Sequence, residues 1–405
     1  MNHIQLAWKN VLRNRRRSFV TIFIAAVGCA SILIAGGFAL WTYDILIEGA
    51  SREFGHITVA DKSFFAKEEE TPMQFGMQQD NRVAEYLEKN PEVATLLPRI
   101  NYSGLISNGD KSLIFLGTGA ELAREAAVRK YFLVVREGAI PRGEPSQLPQ
   151  ILLGVALARN LGAKVGSQLT LIGTTAATGG INAVDVEVAA LVSTGWSEVD
   201  KRLVFSDIQT AQNLLMTDKI STLSVFMHHL DKVPAMLETL AAYDGEHAYM
   251  PWWEQAQYYH SVRALYNRIF GLLGMIIIAL VLFSVINTLA MAVVERTREI
   301  GTLRALGAHP REIIAQFVRE GGIIGLAGVM IGNLVAAAVI WTLPYLHLQM
   351  PPPPGRSEGY PLLVAGSPTL TLVTNALIVL LCMGAAWAVS RRAASKPIVD
   401  ALGHV

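Results

Sequence analysis

ERTREIGTLRALGAHPREI, residues 295–313, gathers charge of both signs around a few apolar residues and sits between two long apolar runs. Of the 405 residues, 52% are hydrophobic and 17% charged, and the apolar residues are spread unevenly. They collect in residues 18–43, 269–294, 321–346 and 370–389, and none of these windows contains Asp, Glu, Lys or Arg. Each reaches the roughly 20 residues that an α-helix needs to cross about 30 Å of hydrocarbon. The quoted stretch, within a connector at residues 295–320, therefore joins the second and third of four transmembrane helices. The fold class follows: an α-helical membrane protein with four transmembrane helices plus a large α+β extracytoplasmic domain.

Orientation is read from Lys and Arg, which concentrate on the cytoplasmic side of spans. Lys9 and Arg13 to Arg17 precede the first span, in an amphipathic N-terminal segment at residues 1–17. Arg296, Arg298, Arg304, Arg311 and Arg319 lie in the 295–320 connector, and Arg391, Arg392 and Lys396 in a tail at residues 390–405. Both termini and the connector are expected in the cytoplasm. The first apolar run is longer than a signal-peptide core of about 7–15 residues, so it reads as a retained anchor. Cys29 and Cys382, the two cysteines, both fall inside spans and read as small packing residues.

The expected outward domain, residues 44–267, is large enough to bury its own core. FGHITVA, residues 54–60, reads as a strand, and two further strands flank the turn signal NGD at residues 108–110. QLTLIG at 168–173 and VDVEVAALV at 184–192 alternate as strands, and Asp207 or Ser206 can cap the helix that follows. These pieces give two subdomains, with residues 119–205 inserted into a unit made from the flanking segments. Neither Gly nor Pro interrupts residues 252–270, so a stalk helix over 251–267 is expected to continue the second span. Trp252, Trp253, Tyr258, Tyr259 and Tyr266 suit an aromatic belt at a membrane interface.

Chemistry-bearing motifs are sparse. The chain has no GxxxxGK[ST] phosphate loop, no HExxH and no CxxC, and the adjacent His228 and His229 would point to opposite faces of a strand. No catalytic residues, metal ligands or cofactor are expected, and a net charge of +1 gives no cause to expect a nucleic-acid partner. The spans lack the ionisable groups of an ion-coupled transporter, so energy for work must come from elsewhere. Asn287, Asn333, Thr371 and Asn375 read as interhelical hydrogen-bonding residues. In the third span Gly321, Gly325, Gly328 and Gly332 form two GxxxG pairs, with the last three on one helical face, which predicts close helix–helix approach. Residues 347–369 form a loop whose prolines, Pro351 to Pro354, favour a stiff extended segment.

Within the connector, Ile300, Leu303 and Leu306 form an apolar edge among Glu295, Arg296, Arg298, Glu299 and Arg304, with Gly307 as a C-cap and Pro310 as a stop. A short helix of this kind suits docking into a groove on a partner. This stretch resembles the signature loop of the FtsX-like, or MacB-like, ABC transporter permeases. VLRNRRRSFVT, ILLGVALARNLGAKVGSQLTL and ASKPIVDAL resemble the family's lead-in to the first span, its periplasmic domain and its C-terminal ending. The resemblance implies a MacB-like periplasmic core domain and a LolC/LolE-type organisation with no fused ATPase.

It further implies a non-catalytic permease whose coupling helix, Glu295 to Gly307, docks on a separate cytoplasmic ABC ATPase that uses ATP and Mg. Two paired permeases, as a homo- or heterodimer, then move their periplasmic domains by mechanotransmission. The expected location is the bacterial inner membrane, the expected cargo a lipoprotein, lipid or other hydrophobic molecule, and a periplasmic or outer-membrane partner is compatible. The alternative is a signal-transducing scaffold that regulates a cell-wall hydrolase or senses a peptide.

Overall fold

The computed structural model describes residues 15–67, 69–79, 82–142, 146–350 and 359–395. Most of the N-terminal segment, Pro351 to Pro354 and residues 396–405 of the tail lie outside the described residues. The chain divides into a helical unit, built from the residues up to Asp44 together with Val262–Gln349 and the residues from Pro361 on, and a globular unit, Ile45–Ser261.

Four helices among the described residues are long and apolar enough to cross a membrane. They are α1 (Arg15–Phe54), and, with labels counted along the whole chain, α9 (Gln257–Glu295), α11 (Pro310–Thr342) and α12 (Pro368–Ala394). The helical unit packs Ala25, Cys29 and Leu33 of α1 against Val281, Val285 and Leu289 of α9, and both against Val329 of α11 and Cys382 of α12. Small side chains at these contacts let the backbones approach. Both cysteines are buried and free. Asn333 Nδ2 donates to Asn375 Oδ1 at 3.1 Å, and Cys29 Sγ approaches the same oxygen at 3.6 Å, joining α1, α11 and α12.

The glycines of α11 share one face, as their spacing suggested, and that face serves two neighbours. A Cβ built on Gly321 or Gly325 would meet α12, 2.8 Å from Cys382 O and 3.0 Å from Val379 Cα respectively. One on Gly328 or Gly332 would meet α1, 2.5 Å from Ala25 Cβ and 2.6 Å from Cys29 Cβ. The stripe meets α12 nearer the start of α11 and α1 farther along it; at 3.6 residues per turn all four glycines fall within an arc of about 60°, so the neighbour changes along the axis and not around it. Gly332→Val is expected to destabilise the helical unit by about 1–3 kcal/mol through overpacking. Gly322→Val, whose Cβ would meet nothing nearer than Met383 Cγ at 3.6 Å, should be close to neutral. Thermal unfolding of the two variants in one detergent checks this.

The globular unit is built on one ten-stranded sheet. Its strands are β1 (Ile57–Asp61), β2 (Val93–Ser107), β3 (Ser112–Gly119), β4 (Val134–Gly138), β5 (Gln150–Gly154), β6 (Gln168–Thr174), β7 (Ile181–Ser193), β8 (Leu203–Ser206), β9 (Thr222–Met227) and β10 (His247–Pro251). The order is β10-β1-β9-β2-β3-β8-β5-β7-β4, and β6 joins β2 to β7. Strands β2, β3, β8, β5, β7 and β6 thus form a closed circuit, while β10, β1, β9 and the start of β2 form an open antiparallel sheet. The inserted part consequently begins near residue 100 and not at 119. One 15-residue strand, β2, belongs to both parts, pairing first with β9 and then with β3 and β6. Gly109 at φ +94 turns the β2–β3 hairpin, and Asn108 Oδ1 accepts from the backbone of Asp110 and Lys111.

Helices α3 (Leu122–Arg129), α5 (Ser197–Asp200) and α6 (Ile208–Leu215) lie between these strands. Asp207 caps α6, accepting from Ile208 N at 2.7 Å. The expected stalk over 251–267 starts later than its sequence suggested. Pro251 ends β10, Trp252–Gln255 forms a separate turn of helix α8, and Ala256 leaves helical geometry at φ −84, ψ 63 before α9 begins. Packing explains the break: Trp252, Ala256 and Tyr259 are buried against Leu46, Ala50 and Phe54 at the end of α1. Trp252 and Tyr259 are accordingly core residues of this unit and not members of an interfacial belt.

Candidate functional site

The connector forms helix α10 (Thr297–Ala305), between α9 and α11. Glu295 is the last residue of α9, Arg296 is the N-cap of α10 and Leu306 its C-cap. Gly307, at φ +96, donates to Arg304 O and Ala308 donates to Leu303 O, both at 3.0 Å. That pair of bonds is a Schellman ending, which places Gly where a side chain would be strained. The chain re-enters helix at Pro310, where Glu312 accepts from His309 N at 3.3 Å.

The apolar edge of α10 is divided. Ile300 is 3% exposed and packs with Val293, Ile313, Phe317 and Ala394, so its role is to seat the helix. Leu303 and Leu306 are 44% and 80% exposed. Arg296 also turns inward: its Nη1 lies 3.1 Å from Glu320 Oε2, and both side chains are largely buried. Sequence spacing placed Ile300 on the apolar edge and Arg296 among the charges around it; the first is held by the core and the second by an ion pair. Helix α10 is thereby fixed to α9, α11 and α12 at one face and offers Leu303 and Leu306 at another.

A second constellation lies in the globular unit, around the last turns of α1. A helix end leaves four carbonyls without intrahelical partners. Arg99 of β2 donates from Nη1 to Glu53 O at 2.6 Å and to Ser224 Oγ at 3.1 Å, and Ser224 Oγ donates to Phe54 O at 2.9 Å. A cation at this position also suits the helix dipole. The guanidinium forms a two-point pair with Glu125 of α3, at 2.9 and 2.8 Å, and Arg129 Nε reaches the same carboxylate at 2.6 Å. Burial alone would raise the Glu125 pKa; the two guanidinium groups outweigh it and hold the carboxyl below its ordinary value. One turn earlier, Arg52 pairs with Glu48 and donates to Val128 O, while Tyr131 donates to Glu48. The end of α1 is thus bound to β2, β9 and α3.

His56 follows directly. Its Nδ1 accepts from Met227 N at 2.9 Å, which requires the neutral ring. Burial and then the charge of Arg52 push its pKa down to about 4. Below about 6.5 the unfolded chain gains a proton that the folded chain refuses, so stability present above that pH is lost as pH falls towards 4. We expect about 2 kcal/mol less stability at pH 4.5 than at pH 7 from this group. Substitution by Asn, which keeps an acceptor, should remove that part of the slope in pH-dependent thermal unfolding.

Sequence reading did not find the Arg99–Glu125–Arg129 cluster. The four-residue spacing of Glu125 and Arg129 was a local signal, but the approach of Arg99 depends on how β2 meets α3.

Residues 271–398 match the FtsX-like permease C-terminal family. Similar proteins include the lipoprotein-releasing system transmembrane protein LolC of Xylella fastidiosa strain Temecula1, 25% identical over 260 residues, which are 63% of this chain and 62% of that one. LolC of Neisseria meningitidis serogroup B is 27% identical over 265 residues, 64% of each chain. The chain spans a little under two thirds of the length of these relatives. Among solved structures, the periplasmic region of MacB from Actinobacillus actinomycetemcomitans is similar at 15% identity, over 51% of this chain and 94% of that one, with a TM-score of 0.35.

Proposed function

From a chain that carries an FtsX-like permease region over residues 271–398, we propose a permease subunit of an ABC transporter, driven by a separate ATPase. The observation that carries this reading is α10, a short helix rigidly seated by Ile300 and Arg296 that presents Leu303 and Leu306 outward. The ATPase, using ATP and Mg, docks on those residues from the cytoplasm. Its closure moves α9 and α11, and the globular unit responds on the periplasmic side of a bacterial inner membrane. The distribution of Lys and Arg supports that orientation, with both termini inside. The cargo is a lipoprotein or another hydrophobic molecule, as the names of the LolC relatives suggest. A second permease copy completes the transporter.

The test is a pull-down of the tagged full chain from its native membranes in mild detergent, with co-purifying proteins identified by mass. A P-loop ATPase is expected with the parent chain. Intact chain recovered without any ATPase would overturn the reading.

A further inference from the structure

Helix α9 carries two apolar faces. Val281, Val285 and Leu289 are buried against the other spans of the helical unit. The second face holds Ile269, Leu273, Ile276, Leu280, Phe283 and Asn287, in steps of four and three residues, with Val294 one heptad beyond Asn287. All seven are exposed, Leu280 by 62% and Phe283 by 70%. Val285 lies two residues from both Phe283 and Asn287, so at 3.6 residues per turn it points away from them. Alternating steps of three and four are the spacing of a helix–helix seam, and no described element covers this one.

Asn287 selects what covers it. The apolar run between Arg268 and Glu295 is about 40 Å long, and Asn287 stands about 28 Å from the first and about 12 Å from the second. A hydrocarbon layer of about 30 Å includes that position wherever the layer falls between the two charges. Thr288, the next residue, donates its hydroxyl to Ser284 O at 2.8 Å. Asn287 has no hydrogen-bond partner among the described residues. Lipid tails can cover leucine and phenylalanine, but they offer a carboxamide neither donor nor acceptor.

We infer that α9 of a second copy of this chain covers the face, with the two Asn287 side chains hydrogen-bonded to each other. Copies of one chain insert in one orientation, so their α9 helices run parallel and place Asn287 at equal depth. A carboxamide both donates and accepts, so a two-fold axis makes this residue its own complement. The rest of the seam is uncharged, and nothing in it repels an identical face. A single Asn in an apolar seam fixes register and pair state in parallel coiled coils, and Asn287 takes that place, one heptad from Leu280 and one from Val294. An unrelated span would need a polar group at the same depth. Self-association through α9 stands on this face alone, whereas its place in a transporter rests on the permease reading above.

The experiment uses the full chain in phosphatidylethanolamine and phosphatidylglycerol vesicles at low protein density. Leu280→Cys puts a thiol on the seam, and Met330→Cys puts one at an exposed position of α11 off the seam. The native Cys29 and Cys382 are buried, so the parent chain serves as the blank. After mild oxidation we expect at least tenfold more disulfide-linked dimer from Leu280→Cys than from Met330→Cys. Adding Asn287→Leu to Leu280→Cys should lower the yield at least threefold, and Asn287→Gln, which keeps the carboxamide, should preserve most of it. Equal yields from the two thiols, or an undiminished yield with Asn287→Leu, would overturn the inference. So would a Leu280→Cys adduct that forms only in native membranes and only with a different chain. A chain that cross-links here but captures no ATPase keeps the interface and loses the permease reading; one that captures an ATPase without cross-linking does the reverse.

Discussion

Replacing Glu125 by Ala in the full chain should lower the stability of the globular unit by about 3–5 kcal/mol, the usual result of removing one partner from a buried ion pair. The carboxylate is 1% exposed and neutralises Arg99 from inside the core. Without it, Arg99 and Arg129 face each other with one counter-charge missing, and water cannot reach Arg99. For a unit of this size the loss corresponds to a melting shift of roughly 6–20 °C. Tryptophan fluorescence reads it conveniently, because Trp252 and Trp253 pack beside the end of α1. Arg99→Met combined with Glu125→Met should recover much of the loss, since the more exposed Arg129 can turn to water and apolar side chains fill the space. A melting shift below about 2 °C for Glu125→Ala would contradict a buried, closely paired cluster.

The second large effect is expected at α10. Leu303→Asp with Leu306→Asp should weaken ATPase binding by at least a hundredfold. Burying a leucine contributes about 1.5–3 kcal/mol, and tenfold in affinity is about 1.4 kcal/mol. Both residues are exposed in the isolated chain, so its melting temperature should change little. Ile300→Asp is the contrasting variant: it places a charge in the cluster of Val293, Ile313 and Phe317 and should lower stability and docking together. Normal ATPase binding by the double Asp variant would remove the docking assignment.

The division of labour between sequence and structure has physical reasons. Uncharged runs long enough to cross a bilayer are visible without coordinates, because the bilayer requirement acts on local composition. The β2–β3 turn and the Asp207 cap were equally local. The seating of α10 was not, because exposure of Leu303 and burial of Ile300 depend on which face meets α11 and α12. The stalk began late for a similar reason: nothing in WWEQA forbids helix, and the interruption at Ala256 arises where Trp252 and Tyr259 pack on α1. The Gly stripe of α11 announced close approach but could not name its two partners. Arg99, 26 residues from Glu125, left no periodic trace at all.

The central claim is that events at α10 reach the globular unit. Its most direct measurement is hydrogen exchange on the full chain with its co-purified ATPase in vesicles, without nucleotide and then with ATP and vanadate. The account predicts changed protection at the end of α1, residues 45–54, and at residues 194–205, and no change when Leu303 and Leu306 are both Asp. Identical exchange in those segments with nucleotide trapped on a bound ATPase would contradict it.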